Sequence, residues 1–349
     1  MNYTDRQSPI RLRPAPDAVF AQALRSLSRA ALVTARRVHE PSARNPWRDD
    51  ADVELVMRGA VSPTSTTNAA ALATVKLALL AALQPVSAAA QVIAKSMGLS
   101  FDGALTIGIP SLSLPNARWV AEGAPIPVAQ GISTAGSRIY PYKLGIIVSM
   151  TREMIESSSA ESITRQLLVE STGPVLDQAL FSASAGVAGL HPPGLLFNIP
   201  PLTASTGSGF DAMLQDVGSL VQAVAPVSGA GQPLIVAAPK QATAIGMAAR
   251  DPLTTVLSSA ALPVGTVVAV VPQALVSVVE TPRLDASSEA GSLHMEDTAP
   301  AEIVDGSGVF AKPVMSIFQM DSVALRMTLP ASWGLRSPLA AAWIQSATW

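Results

Sequence analysis

The 349-residue sequence contains no cysteine and only three histidines. Without cysteine the chain has no disulfides and no thiolate metal ligands, which is typical of a protein kept in a reducing compartment. The histidines His39, His191 and His294 are far apart, and no cluster of histidine and carboxylate residues has the spacing of a metal site. We therefore expect no metal and no other cofactor.

Charged residues are also scarce. They make up 14% of the chain, whereas a typical soluble domain carries about 25%. Hydrophobic residues make up 49%, and the mean hydropathy is +0.36. The composition fits a membrane protein, a sticky secreted protein, or a subunit that buries much of its surface against copies of itself. The last of these would need large, apolar interfaces.

Long apolar runs are missing, which argues against a membrane protein. The most apolar stretch, residues 69–94, is interrupted by Lys76, Gln84 and Pro85. Its unbroken part is far shorter than the roughly 20 residues that span a bilayer. The first residues contain arginines without a following apolar segment, so we expect no signal peptide. The net charge of −2 gives no overall reason to expect nucleic-acid binding.

Sequence motifs of enzymes are also missing. Neither G-x-S-x-G nor a P-loop occurs, and the glycine-rich runs at 228–233 and 305–310 do not match a dinucleotide-binding fingerprint. We therefore expect no catalytic residues and no enzymatic activity. A Ser–His–acid triad can assemble from distant residues, so a serine hydrolase stays open as a hypothesis of another class.

Local patterns predict a mixed α+β protein. Residues 142–150 alternate between two faces, as in a strand, and a long helix is expected over about 160–184, with Pro174 inside it. In a second amphipathic helix, 211–224, the side chains expected to point inward are Leu214, Val217, Val221 and Val224. Short apolar runs predict further strands at 233–239, 265–271 and 274–280, with a helix at 239–250.

One segment needs a partner. Residues 117–131 read ARWVAEGAPIPVAQG, and prolines at alternate positions cannot sit in the middle of a sheet. Strand patterns flank this segment, so we expect residues from about 121 to 141 to form a hairpin-like arm that would be marginal alone in water. We expect the arm to contact another copy of the chain, although Trp119 can equally be a core residue. The candidate interface residues in the arm are Trp119, Glu122, Pro125, Pro127, Arg138 and Tyr140.

The first 50 residues are locally basic, and residues 17–40 fit an amphipathic helix. Two interpretations are open: the arginines neutralise nucleic-acid phosphates, or the helix docks on a neighbouring subunit and its arginines pair with acids there. We favour docking, which adds Arg25 and Arg29 to the candidate interface residues.

The order of several motifs resembles a known family. The segment WVAEGAPIP (119–127) is followed by SMTREMIESSS (149–159), a long helix and HPPGLL (191–196). Later come PLIVAAPKQ (233–241) and the closing SIFQMDSVALRM…ASWGLR (316–336). In this order they are similar to the major capsid protein of tailed bacteriophages, with the Hong Kong 97-type fold, from about residue 100 to the end of the sequence.

The resemblance implies a subunit that assembles as pentamers and hexamers into an icosahedral-type shell around double-stranded DNA. Its partners would be copies of itself, a portal protein, and scaffolding or decoration proteins, in a virion assembled in the bacterial cytoplasm, with no membrane. An encapsulin-type nanocompartment, which shares the fold and stores an enzyme, is the closest alternative. The implied segments are an N-terminal arm (1–60), the start of the peripheral domain (61–117), the extended loop (118–142), the peripheral domain with its spine helix (143–204), the axial domain (205–305) and a return to the peripheral domain (306–349).

The sequence departs from the family in its arm. Some members cross-link the extended loop covalently through a lysine, but residues 119–142 contain no lysine, and Lys143 lies at the base of the arm. We therefore expect no covalent cross-linking.

Overall fold

In this computed structural model the helices and strands belong to a mixed α+β fold. The structure describes residues 25, 28–37, 45–50, 53, 57, 83–101, 104–109, 138–156, 160–229, 231–248, 255–280, 282–287, 293–294, 314–317 and 319–349. Helices α1 to α5 are Ala88–Ala94, Arg152–Glu156, Ala160–Leu180, Phe210–Ser228 and Pro239–Ala248. Strands β1 to β13 are Met97–Leu99, Ile107–Gly108, Arg138–Ile139, Tyr142–Thr151, Leu234–Ala237, Val256–Ser258, Val267–Val270, Leu275–Val279, Arg283–Ser287, Leu293–His294, Val314–Met315, Ser322–Leu335 and Ala341–Ile344.

The first sheet is built around the long strand β12. Along one edge β12 pairs antiparallel with β4, from Ser322 opposite Thr151 to Ala331 opposite Tyr142. Along the other edge it pairs with β9 and then with β8, and β1 adds parallel to β8. The predicted alternation of β4 is confirmed, because Tyr142 and Met150 are buried and Lys143 is exposed.

The second sheet has the order β13–β7–β5–β6 and lies between two cores. In β5, Leu234 and Val236 belong to the larger core, whereas the alternate residues Ile235 and Ala237 belong to the smaller one. Strand β7 divides its side chains in the same way. Burial on both faces explains why these strands read as unbroken apolar runs in the sequence.

The two cores differ in the helices that cover them. The larger core joins α1, α3 and β12 to one face of the second sheet, and the buried part of the N-terminal helix, residues 28–37, belongs to it. The smaller core packs α4 against the other face. Pro174 lies inside α3, as the sequence predicted. No helix in the described part of the chain combines the length and the hydropathy needed to cross a membrane.

The chain passes between the two sheets more than once. Strands β8 and β9 lie within residues 205–305 but pair with β12 in the first sheet. Strand β13 lies within residues 306–349 but pairs with β7 in the second sheet. A boundary at residue 305 therefore does not separate the two sheets, because each of them takes strands from both sides of it.

Candidate subunit interface

The base of the predicted arm is a short antiparallel ladder between β2 and β3, in which Ile107 pairs with Ile139. Ile139 is buried with Ile109, Phe101 and residues of β8 in a small separate cluster, which fixes the ladder on the first sheet. Two predicted interface residues lie here. Arg138 and Tyr140 alternate with the buried Ile139 and are exposed.

The remaining predicted arm residues are not placed. Trp119, Glu122, Pro125 and Pro127 lie outside the described residues. The contact of the arm with another copy therefore stays a prediction, and so do the interface roles of Arg138 and Tyr140.

An open groove of about 940 Å³ runs beside the base of the arm. Its walls come from three distant parts of the sequence, residues 138–142, 185–199 and 332–338, and it is lined by Arg138 and Tyr140 among others. Sequence reasoning found only the first wall. The other two contain the motifs HPPGLL (191–196) and ASWGLR (331–336), whose proximity follows only from the fold.

The wall formed by residues 185–199 is held in place by two indole groups. Trp333 Nε1 donates to the carbonyl of Pro193 at 2.9 Å, and Trp343 Nε1 donates to the carbonyl of Ile199 at 2.8 Å. Between these anchors Gly194 passes so close to the backbone of Ser182 that no side chain fits there. The P-x-G-L-L motif therefore marks a rigid loop with a structural need for glycine.

The N-terminal arginines belong to a helix that packs on its own subunit. Residues Ala31, Leu32 and Ala35 are fully buried, because the alanine-rich face lies in the larger core. Arg29 Nη1 pairs with Asp50 Oδ2 at 2.9 Å, and its guanidinium lies 5.6 Å from the centre of the Trp47 ring. The acid that pairs with Arg29 in this structure is thus in the same chain.

Arg25 is helical and exposed. Its contact with a neighbouring subunit, like that of Arg29, stays a prediction.

The structure describes the side chain of one histidine, His191. The ring of His191 hydrogen-bonds through Nδ1 to the carbonyl of Pro192, at 3.0 Å. His39 and the side chain of His294 lie outside the described residues. Within the described part, histidines and carboxylates form no group able to hold a metal ion.

Of three comparisons with known proteins, the one with solved structures found matches. No protein-family model matches the chain, and no curated protein is significantly similar to it. A solved structure from Mycobacterium phage Cain matches with a TM-score of 0.51 at 16% identity, covering 73% of this chain and 89% of that one. One from Microbacterium phage Oxtober96 gives 0.49 at 17% identity, over 74% and 90%. The capsid of an empty GTA particle gives 0.48 at 12% identity, over 77% and 90%.

The chain therefore shares its fold with the structure from phage Cain, which agrees with the fold that the order of its motifs predicted.

Proposed function

We propose that the protein is a major capsid protein, which assembles as pentamers and hexamers into a closed, icosahedral-type shell enclosing double-stranded DNA. The observation that carries the proposal is the likeness of fold to the chain from phage Cain, which spans 89% of that chain. In a closed shell one small set of interfaces is repeated in every copy, so weak individual contacts are multiplied over the particle.

The surface of the chain supports an assembled state. Large apolar side chains are exposed in several elements, with Leu105 and Met247 more than 80% exposed. Single exposed apolar residues are common in soluble proteins, but here they accompany a charged fraction of only 14%. Burial of this surface against other copies would remove its contact with water.

Under this proposal the work of the protein is mechanical, and it is a component of a virion rather than an enzyme. Its partners are copies of itself, a portal protein and packaged DNA bound without sequence specificity. Scaffolding and decoration proteins are further partners in particles that contain them. The axial domain would correspond to the second sheet with α4 and α5.

Light scattering and electron microscopy of the purified full chain test the proposal. We expect closed particles, far above the 35.9 kDa of one chain. A stable, compact monomer at every concentration would overturn it. In particles from the natural source, packaged DNA and a unique portal vertex support the capsid, whereas a small shell filled with a protein cargo identifies a nanocompartment instead.

Shortening the arm is expected to block shell formation and to leave the subunit folded. Replacing residues 123–136 with a Gly-Ser pair keeps the β2–β3 ladder, which is anchored in its own apolar cluster. We expect an unchanged circular dichroism spectrum and melting temperature, with loss of particles in electron microscopy. A control with the same residues replaced by Gly/Ser at full length separates lost length from lost side chains. Unfolding of the short variant would contradict an intersubunit role.

A further inference from the structure

The open groove beside the base of the arm has a local excess of positive charge. Two arginines line it, Arg138 on β3 and Arg336 directly after β12, and none of its described lining residues is an aspartate or a glutamate. The chain as a whole has 25 acidic and 23 basic residues, so this excess belongs to the groove and not to the composition. Cations on a concave surface attract an anion, because the low-dielectric walls focus their field.

Aromatic rings are exposed beside these cations. Tyr140 and Phe197 line the groove with 47% and 38% of their surface exposed. Exposed rings stack on planar groups, and a guanidinium both stacks on rings and pairs with phosphate or carboxylate. Asn198 is exposed on the same wall as Phe197 and adds an amide that donates and accepts hydrogen bonds. The groove thus offers stacking, positive charge and hydrogen bonds together.

A buried hydroxyl without a partner is a second, independent sign of a ligand. Ser332 lines the groove, is only 1% exposed, and its hydroxyl has no hydrogen-bond partner among the described residues. Buried hydroxyls are almost always hydrogen-bonded in folded proteins. A polar atom of a molecule bound in the groove would supply the missing partner.

The size and stiffness of the groove suit a small molecule. Its volume of about 940 Å³ lies within the roughly 300–1,000 Å³ of ligand pockets. The wall formed by residues 185–199 is held by the indoles of Trp333 and Trp343, so it is in place before a ligand binds. A preformed wall lowers the entropy cost of binding.

We propose that this groove binds a small aromatic anion, a compound with a planar ring system and a phosphate or carboxylate group. The acid group pairs with Arg138 and Arg336. The ring stacks on Tyr140 and Phe197, and the hydroxyl of Ser332 hydrogen-bonds to a polar atom of the ligand. Nucleoside monophosphates and aromatic carboxylates share this chemistry. The inference goes beyond the proposed function, which requires no small ligand.

Isothermal titration calorimetry of the purified full chain tests the proposal, with adenosine monophosphate and naphthoate as the two probes. We expect saturable binding of a single ligand per chain for at least one probe, in the unassembled or the assembled fraction. The probe that binds more tightly identifies phosphate or carboxylate as the preferred acid group. Absence of saturable binding of both probes in the millimolar range would overturn the proposal.

Adenosine and inorganic phosphate separate the two halves of the expected ligand. Each has only the ring or only the charge, so each should bind about tenfold more weakly than adenosine monophosphate or worse. Inorganic phosphate that binds as tightly as adenosine monophosphate would indicate a simple anion site without recognition of the ring, which contradicts the proposal.

Arg138→Ala is expected to weaken the binding of adenosine monophosphate by about tenfold, because it removes a charge-assisted contact. Arg138 is exposed, so the melting temperature should not change. Arg283→Ala is the matched control: Arg283 is exposed on β9, in the same sheet as β12, and does not line the groove. Equal affinities of the two variants would place the ligand elsewhere and overturn the proposal.

Ser332→Ala distinguishes a ligand contact from a structural role, because the two expected effects have opposite signs. The free chain loses a buried hydroxyl that has no partner in the described structure, so its melting temperature should rise. The affinity for the tighter probe should fall by about two- to tenfold, the value of one hydrogen bond. An unchanged affinity would show that the hydroxyl does not contact the ligand, and would overturn this part of the proposal.

The outcomes also separate this inference from the proposed function. Shells in electron microscopy without binding of either probe would overturn the inference and leave the capsid function standing. A compact monomer that binds a probe in the groove but never forms shells would refute the function and support the inference.

Discussion

Replacing Asp177 with alanine is expected to lower the free energy of unfolding by at least about 3 kcal/mol, because it leaves several buried donors without an acceptor. Asp177 lies on α3 and is only 4% exposed. One carboxylate oxygen accepts from Ser87 Oγ and from the Ala89 N–H at 2.9 Å. The other accepts from Ser259 Oγ at 2.6 Å and from the Ala88 N–H at 3.2 Å.

The cost is large because this carboxylate joins three elements. It satisfies the first N–H groups of α1, which have no partner inside their own helix. It also accepts a hydrogen bond from the hydroxyl of Ser259, the residue that follows β6. The N–H of Ser259 donates to the carbonyl of Ala237 in β5, which extends the pairing of these two strands in the second sheet. Loss of Asp177 therefore loosens α1, α3 and the edge of the second sheet at one point.

Urea denaturation of the unassembled subunit measures this effect. Asp177→Asn keeps the shape and one carbonyl acceptor, so it should lose less than the alanine variant. Glu170→Ala on the same helix is the matched control, because Glu170 is exposed and pairs only with Gln166, which is worth a few tenths of a kcal/mol. An Asp177→Ala variant as stable as this control would show that the network contributes nothing.

The strands with simple patterns could be predicted from the sequence. Strand β4 alternates because one of its faces is buried, and β5 and β7 are unbroken apolar runs because both of their faces are buried. In these strands the pattern of apolar residues along the sequence directly reflects which faces of the strand are buried. Strand β9 could not be predicted, because it lies in a polar stretch of the sequence. It pairs with β12, and the exposed side chains of Asp285 and Arg326 form an ion pair between the two strands.

In helix α4 the buried face was predicted incorrectly, because that face contains a polar residue. Leu214 was predicted to point inward, which is wrong, since it is 52% exposed. The buried face instead runs through Met213, Asp216, Leu220 and Val224. Asp216 is tolerated there because it accepts from the Ser205 N–H and from the indole of Trp349, both at 2.8 Å. Neither partner is recognisable from the sequence around the helix.

The groove and the Asp177 network could not be predicted for a related reason. Both depend on residues that are distant in sequence: Ser87 and Ser259 lie 90 and 82 positions from Asp177. Single serines and aspartates are common in solvent-exposed helices and loops, so their sequence context does not distinguish a buried network from ordinary surface. Only the packing of α1 and the second sheet on α3 reveals it.

Replacing Gly194 with alanine is expected to destabilise the subunit by about 3 kcal/mol, at the upper end of what overpacking usually costs. A Cβ at this position would lie 2.5 Å from the carbonyl carbon of Ser182 and closer still to its oxygen. Backbone atoms cannot give way as the end of a flexible side chain can. The loop would have to move outward and stretch the bonds that Leu195 and Leu196 donate to the carbonyls of Leu180 and Ser182, at 2.8 and 3.2 Å.

Gly218→Ala is the matched control for this prediction. Gly218 is exposed inside α4, and no atom lies within 4 Å of an added Cβ, so alanine should stabilise the helix by about 0.5–1 kcal/mol. Opposite signs of the two effects in thermal and urea denaturation would show that Gly194 is required by close contact and not by backbone freedom. If the Gly194→Ala variant melts at the same temperature as the unmodified protein, the loop formed by residues 185–199 can move to accommodate the added Cβ. This wall of the groove would then not be rigid.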